Sequence, residues 1–165
     1  MSASKEKLLT RAELMLKETR VLGLSDDASF SDHVKIVSVE PGRVDVKFEV
    51  TENLLNIRGY VHGGVLAFLV DVITFMSTST LLPFEFSAVS LNLNTNFVKG
   101  IKHGETIYAT AVAVRAGKKI IFAKVHFRDA DGNLRAYGGQ TIYILDEGNP
   151  SQVNSSTQLN EKSKL

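Results

Sequence analysis

The sequence contains no cysteine, which excludes disulfides, thiolate metal sites and cysteine nucleophiles together. It also has no excess of one charge, because 19 basic side chains stand against 18 acidic ones and leave a formal charge of +1. Such a balance gives no broad basic field for a phosphate backbone, so we expect no nucleic-acid partner. The chain lacks a G-x-S-x-G elbow, a P-loop, a G-x-G-x-x-G turn and an H-E-x-x-H pair.

The two ends of the chain differ in character from its middle. The N-terminus has no apolar signal core and carries three acidic residues before position 20, so we expect a soluble intracellular protein. Apolar residues recur at three- and four-residue steps from Ser4 to Leu22, which predicts an amphipathic helix within an N-terminal segment of residues 1–29. Residues 146–165 are polar and rich in serine and asparagine, which predicts a disordered tail.

The middle of the chain, residues 30–145, reads as one α+β domain. Apolar and polar residues alternate from Val34 to Val50, as in paired strands. A long apolar helix follows from Gly64 to Leu82, closed by Pro83, with Asp71 as its one charged residue. Alternation then returns in four runs, at 89–97, 106–115, 120–128 and 134–145. The pattern predicts an antiparallel sheet of about six strands wrapped round one buried helix.

The long helix is not expected to span a membrane. Its length alone would suffice, but Asp71 lies near its middle and five serine and threonine residues accompany it. Basic flanks of the kind that anchor membrane spans are also missing.

The segment from Asn56 to Gly64 best suits chemistry on a carbonyl group. Gly63 and Gly64 begin the apolar helix, so their N–H groups and the helix dipole can stabilise an oxygen that gains negative charge. Asn56 can add a side-chain donor to the same oxygen. The alternative is that the glycines allow close packing and Asn56 caps a turn.

Asp71 is the second candidate, because a carboxylate in an apolar helix is costly unless it is paired, hydrogen-bonded or protonated. It is either a structural group with a satisfied partner or a catalytic base or nucleophile. Asp71 follows Gly63 by eight residues, which is about 12 Å along a helix axis. Both groups cannot touch one reacting carbon at that separation, so a site that uses both requires Asp71 from a second subunit.

Three stretches, NIRGYVHGGVLAFLVD, AVSLNLNTNFVKG and VRAGKKIIFAKVHFRDADGNLRAYGGQTIYI, resemble the hotdog-fold acyl-CoA thioesterases of the PaaI and acyl-CoA thioesterase 13-like family. The resemblance implies a homodimer or homotetramer that hydrolyses acyl-CoA to free CoA and a carboxylic acid without a metal or cofactor. It places Asn56 and the Gly63 N–H on the thioester carbonyl. Asp71 of the facing subunit activates water or attacks directly, Ser90 orients that water, and His62 is a positioning residue.

The resemblance also favours one basic hairpin as the site for the CoA phosphates. That hairpin consists of Arg115, Gly117, Lys118 and Lys119, and its glycine can present N–H groups in a concave turn. Gly64 is a further candidate for contact with the acyl-CoA, and the basic loop at 99–103 is a weaker one. Phe84, Phe86 and Phe97 either line an acyl pocket or belong to the core.

Two other functions stay open at this stage. A hydratase or dehydratase acting on enoyl- or hydroxyacyl-thioesters would use His62 and Asp71, although the proline-rich segment expected around that histidine is missing. A non-catalytic acyl-CoA-binding protein would need neither group for turnover.

The last three residues match a C-terminal peroxisomal address. Ser163, Lys164 and Leu165 form the tripeptide that an import receptor reads. We therefore expect a peroxisomal protein with that receptor as a partner, which fits fatty acid metabolism because the organelle handles acyl-CoA chains. The cytoplasm and the mitochondrion are the alternatives.

Overall fold

The computed structural model describes residues 5–18, 34–83 and 86–145. The order of elements is α1 (Lys5–Glu18), β1 (Val34–Glu40), β2 (Arg43–Glu49), a 3₁₀ turn (Glu52–Leu54), α2 (Gly63–Ser79), β3 (Ala88–Phe97), β4 (Thr106–Ala116), β5 (Ile120–Arg128) and β6 (Leu134–Ile144). The predicted order of a helix, two strands, a helix and four strands is confirmed. The proposed boundary at residue 29 and the predicted tail lie outside the described residues.

Helix α2 ends at Ser79, three residues earlier than predicted. Side-chain hydroxyls explain the early end, because Ser77, Ser79 and Thr80 each donate to the carbonyl three residues before them, at 2.9, 2.8 and 2.6 Å. Such bonds tighten the last turn and compete with further helix. Thr80 Oγ1 also accepts from the Gly42 N–H at 2.6 Å, which ties this end of the helix to the β1–β2 turn.

The six strands form one antiparallel sheet in the order β1-β2-β4-β5-β6-β3. Helix α2 lies across one face of this sheet, where Leu69, Ile73 and Met76 are at most 1% exposed. The alternating apolar residues of β2 complete that core, and they are Val44, Val46 and Phe48, with Val50 just beyond the strand. Among the described residues, no helix is both long and apolar enough to cross a membrane.

Helix α1 packs on its own chain, against α2 and β1. It buries the predicted apolar stripe, Leu8, Ala12 and Leu16. Arg11 on the same helix is 8% exposed and donates to the Leu82 and Pro83 carbonyls that follow α2. Its guanidinium lies 5.2 Å from the centre of the Phe86 ring.

One face of α2 is left open, which differs from the expectation of a helix wrapped on all sides. Ala67, Phe68, Asp71 and Phe75 recur at helical spacing and are all partly exposed. The neighbouring edge strand β3 is also open, and its exposed apolar residues are Val89, Leu91, Leu93 and Phe97, at 43%, 58%, 37% and 60%. The open helix face and the open strand edge together form a surface that the described residues leave uncovered.

Candidate active site

A tight turn before α2 presents the side chain of Asn56. The Asn56 N–H donates to the Tyr60 carbonyl at 2.7 Å, and the Gly59 N–H donates to the Asn56 carbonyl at 2.9 Å. Asn56 Oδ1 accepts from the Arg58 N–H at 2.9 Å and from the Tyr60 N–H at 3.4 Å. Among the described residues the Nδ2 group has no partner. Asn56 therefore caps the turn with its oxygen and keeps its N–H donors available.

The first turn of α2 offers a backbone donor at Gly63. His62 is the N-cap residue, and its Nδ1 accepts from the Gly64 N–H at 3.0 Å. The Gly64 N–H is thus already satisfied, so its predicted role as a donor to the substrate is not supported. In the described part of the chain the Gly63 N–H has no acceptor. A Cβ at Gly63 would lie 3.1 Å from the Phe97 ring, so glycine also lets Phe97 pack over the start of the helix.

Asp71 lies in a hydrogen-bonded cluster that joins α2, β3 and β6. Its Oδ1 accepts from Ser90 Oγ at 3.3 Å and from Gln140 Nε2. Gln140 is 3% exposed, and its Oε1 accepts from Thr74 Oγ1 at 2.6 Å. No described residue donates to Asp71 Oδ2. The carboxylate therefore has both a satisfied oxygen and an open one.

These two groups of residues lie at opposite ends of β3, one beside the start of α2 and the other beside its middle. Asp71 is beside Ser90 near the start of β3, whereas Gly63 is beside Phe97 at the end of β3. The axial separation of Gly63 and Asp71 is about 12 Å at the rise of an α-helix. One chain therefore brings Asp71 to Ser90 and places Asn56 in the loop before Gly63, but it does not bring the two pairs together.

A model of the thioesterase superfamily matches residues 58–136. Human acyl-coenzyme A thioesterase 13 is 37% identical over 114 residues, which cover 67% of this chain and 79% of that protein. The chain belongs to the thioesterase superfamily. This confirms the family that the sequence resembles.

Two solved structures share the fold of this superfamily member. Mouse thioesterase superfamily member 2 is similar with a TM-score of 0.70 and 30% identity, over 88% of this chain and 100% of that one. The protein smu.793 from Streptococcus mutans, solved bound to acetyl CoA, has a TM-score of 0.65 and 26% identity, over 73% of this chain and 95% of that one. The predicted hotdog fold is confirmed.

The basic hairpin between β4 and β5 lies at the end of this thioesterase's sheet where Ser90 contacts Asp71. Ile121 next to the hairpin pairs with Ile142, which pairs with Ser90. Arg115 and Lys118 on the hairpin are exposed.

Two residues of the hairpin differ from expectation. The Gly117 N–H donates to the Ile120 carbonyl at 2.9 Å, so this glycine does not present a free donor to a phosphate. Lys119 is only partly exposed, and its Nζ lies 5.9 Å from the centre of the Tyr143 ring. The cationic side chains, rather than the backbone, are what the hairpin offers to an anion.

An open cleft of about 540 Å³ lies at the other end of the sheet, beside the loop of Asn56. Its lining residues are Tyr60, Lys99, Gly100, Lys102, Glu105 and Arg135. Tyr60 bridges to Lys102 through the backbone, so the cleft adjoins the turn that carries Asn56. The basic loop at 99–103, which the sequence made the weaker candidate for contact with CoA, therefore lies on the same side of the site as Gly63.

An ion cluster of the buried Arg135 with the partly exposed Glu105 and Asp129 lies beside this cleft. Arg135 is 5% exposed and contacts Glu105 at 2.6 Å and Asp129 at 3.2 Å, while also donating to the Gly100 carbonyl. The hydrogen bond from Arg135 holds the pKa of Glu105 below its usual value.

Two of the three candidate pocket phenylalanines, Phe86 and Phe97, lie apart within one chain. Phe97 packs over Gly63, whereas Phe86 stacks on Phe75 with ring centres 5.9 Å apart, one helical turn beyond Asp71. Phe84 lies outside the described residues.

Sequence reasoning missed Gln140 and Arg135. Gln140 is 69 residues from its partner Asp71, and Arg135 is 30 residues from its partner Glu105, so no local spacing signals either contact. The available signal is that both are polar residues on strand β6, within an otherwise apolar and glycine-rich run.

Proposed function

We propose that this protein hydrolyses acyl-CoA to free CoA and a carboxylic acid, in a site assembled from two copies of the chain. The observation that carries the proposal is that two free donors and one open carboxylate oxygen lie at opposite ends of a single uncovered surface. Asn56 Nδ2 and the Gly63 N–H are the donors, and Asp71 Oδ2 is the acceptor. Neither half can act on a thioester alone, because the axial distance is about 12 Å.

The edge strand β3 supplies the way to join the halves. A strand edge with exposed apolar side chains is a template for pairing with another strand. Antiparallel pairing of β3 with its copy about a twofold axis near Leu93 and Asn94 exchanges the ends of the strand. The Ser90 end of one chain then lies against the Phe97 end of its partner. This homodimer is the minimal active unit, and a homotetramer would contain it twice.

In the mechanism that fits this geometry, the thioester oxygen accepts hydrogen bonds from Asn56 Nδ2 and the Gly63 N–H of one subunit. Asp71 of the other subunit removes a proton from water, and the water oxygen bonds to the carbonyl carbon. The negative charge that forms on the thioester oxygen is stabilised by the two donors. The intermediate then collapses, the C–S bond breaks, and the CoA sulfur takes the proton from Asp71.

A covalent route is the rival within the same function. Asp71 Oδ2 would attack the carbonyl carbon, expel the CoA thiolate and leave a mixed anhydride that water hydrolyses. A single turnover in ¹⁸O-labelled water separates the two routes. Direct attack by water leaves Asp71 unlabelled, whereas hydrolysis of the anhydride at its Asp71 carbonyl carbon puts label into the side chain.

The hydratase alternative is not favoured by the position of His62. Its Nδ1 already accepts from the Gly64 N–H, and it begins the same helix on which Asp71 lies two turns later. The purely binding alternative makes no use of the free donors of Asn56 and Gly63.

Thiol release from a panel of acyl-CoAs of different length and aromaticity tests the proposed function. The wild type should release CoA, and Asp71→Asn should lower turnover by about a hundredfold or more with folding intact, because the amide cannot act as a base. Unchanged turnover in Asp71→Asn would overturn the assignment of the base. Hydration of an enoyl-CoA without thiol release would support the hydratase instead.

We also propose a peroxisomal location, supported by the terminal tripeptide Ser163-Lys164-Leu165. Deletion of these three residues should leave thiol release intact and move a fluorescently tagged protein to the cytosol. An unchanged distribution would contradict the proposal.

A further inference from the structure

Gln140 is the member of the Asp71 cluster whose side chain lies within hydrogen-bond distance of the side chain of each other member. Its side chain reaches from β6 to α2 and β3, and its atoms lie within hydrogen-bond distance of Asp71, Ser90 and Thr74. Leu93 on β3 and Ala123 on β5 flank Gln140 in the sheet, which fixes the backbone from which the side chain projects. A buried amide with this many partners is held in one orientation if each partner has a defined donor or acceptor role.

The partners define that orientation. A carboxylate only accepts hydrogen bonds, so the amide must turn its Nε2 toward Asp71 and its Oε1 toward Thr74. Thr74 Oγ1 has a single hydrogen and lies 2.6 Å from Gln140 Oε1 and 2.7 Å from the Val70 carbonyl. The amide oxygen of Gln140 has a donor only if Thr74 gives its hydrogen to Oε1 rather than to the Val70 carbonyl. Asp71 therefore sets which end of Gln140 faces the site, and the Thr74 hydroxyl secures the opposite end of the amide.

The two hydrogens of Nε2 are then both used. One is donated to Asp71 Oδ1 and the other to Ser90 Oγ. Ser90 in turn lies 3.3 Å from the same Oδ1, so its own hydrogen is directed at that oxygen. Oδ1 is thus held by two donors, and Oδ2 is the carboxylate oxygen left to accept a proton.

We infer that Gln140 is a positioning residue for the hydrolysis, which selects Oδ2 of Asp71 as the basic oxygen and fixes Ser90 beside it. Thr74 acts only through Gln140, by locking its amide. The inference rests on the proposed function, because it concerns the orientation of the base that the function uses. Gln140 itself does not touch the substrate.

Steady-state kinetics of three variants test this role. Gln140→Leu removes every hydrogen bond, and Gln140→Glu keeps the shape and the acceptor for Thr74 but replaces the donor with an oxygen. Both should lower kcat by about 10- to 100-fold, with KM within about threefold of the wild type, because the base is misplaced while the acyl-CoA site is intact. Thr74→Val should lower kcat by a smaller factor. Thr78→Val is the matched control, since Thr78 is fully buried on the same helix and its hydroxyl has no hydrogen-bond partner among the described residues.

A double-mutant cycle separates positioning from general loss of packing. If Thr74 acts through Gln140, Thr74→Val should have no further effect on kcat in the Gln140→Leu background. Additive losses, or a kcat within twofold of the wild type in Gln140→Leu and Gln140→Glu, would overturn the inference. Thermal unfolding is measured for each variant to check that it folds. If Gln140→Leu does not fold, the kinetics of Gln140→Glu and Thr74→Val provide the test.

Asp71→Asn distinguishes failure of this inference from failure of the proposed function. Loss of turnover in Asp71→Asn with full turnover in the Gln140 variants would overturn only the role of Gln140. Full turnover in Asp71→Asn would overturn the catalytic base, and with it the function that Gln140 serves.

Discussion

At the scale of the residue, Asn56 uses the two ends of its amide for different purposes. Oδ1 accepts from two backbone N–H groups of its own turn, and Nδ2 stays available for a substrate oxygen. The sequence presented these as alternatives, a turn cap or an oxyanion donor. The structure shows the turn cap, and the proposed donor role is compatible with it because the cap uses only the amide oxygen.

Asn56→Asp is the sharpest substitution at this position. The carboxylate keeps an acceptor for the Arg58 N–H, so the turn should persist, but it has no donor for the thioester oxygen. We expect kcat/KM to fall by about 100- to 1,000-fold, the range for loss of one oxyanion donor. The check is thiol release alongside the circular dichroism spectrum. Retained turnover in a folded variant would remove Asn56 from the mechanism.

Sequence reasoning at this scale succeeded where a residue stands out against its neighbours. Asp71 is the single charge of an apolar helix, and its contact with Ser90 is present. It failed where the contact is set by register across the sheet. Gln140 reaches Asp71 only because β6 lies between β5 and β3, and no local pattern encodes that order.

At the scale of the element, the loop between β3 and β4 depends on the ion cluster beneath it. Arg135 joins Glu105 to the Gly100 carbonyl, and the Tyr60 turn pairs with the same loop. Because the folded protein holds the pKa of Glu105 below its unfolded value, the stabilisation from this group is complete above the unfolded value. It is lost as the pH falls through the folded value.

Glu105→Gln tests that dependence. At pH 7 the variant should melt a few degrees below the wild type, since Arg135 loses one of its two carboxylate partners. The two melting temperatures should converge only when the pH has fallen past the ordinary glutamate pKa and through the lowered pKa of Glu105, where Glu105 of the folded wild type becomes protonated. A constant difference across the pH range would show that the charge of Glu105 does not contribute.

Helix α1 illustrates what an amphipathic pattern does and does not reveal. The spacing of Leu8, Ala12 and Leu16 predicted a packed face, but not the surface that covers it. The structure places that face on α2 and β1 of the same chain, with Arg11 bound to the carbonyls after α2.

Arg11→Ala should loosen this helix. The substitution leaves the Leu82 and Pro83 carbonyls without their charged donor, and we expect a loss of about 1–3 kcal/mol in the free energy of unfolding. Chemical denaturation measures the loss, and faster hydrogen exchange in α1 should accompany it. Lys5→Ala, at the exposed start of the same helix, is the control and should be near neutral.

At the scale of the whole molecule, the open face of α2 and the exposed edge of β3 decide what the fold can do. The alternation of β3 predicted an apolar face correctly, yet that face is uncovered in one chain. Nothing in the described part of the chain covers it, and sequence periodicity cannot distinguish a core face from an interface face. The separation of Gly63 and Asp71 on one helix is the sequence feature that led to the proposal of a second copy.

Leu93→Lys tests the interface itself. A charge in the middle of β3 should convert the dimer to a monomer and abolish thiol release, because each site would lose its partner half. Val37→Lys is the matched control, since Val37 is an exposed apolar residue on the opposite edge strand. Sedimentation velocity reports the assembly, and a monomeric Leu93→Lys with full activity would contradict the shared site.

Complementation between two inactive variants tests the shared site most directly. Asp71→Asn and Asn56→Asp are each purified, mixed in equal amounts, unfolded and refolded together, and assayed for thiol release. If each site takes Asp71 from one chain and Asn56 from the other, half of the dimers carry one intact site, and activity should return to about a quarter of the wild type. If both groups of a site come from the same chain, the mixture stays as inactive as its two parents, and the account is contradicted.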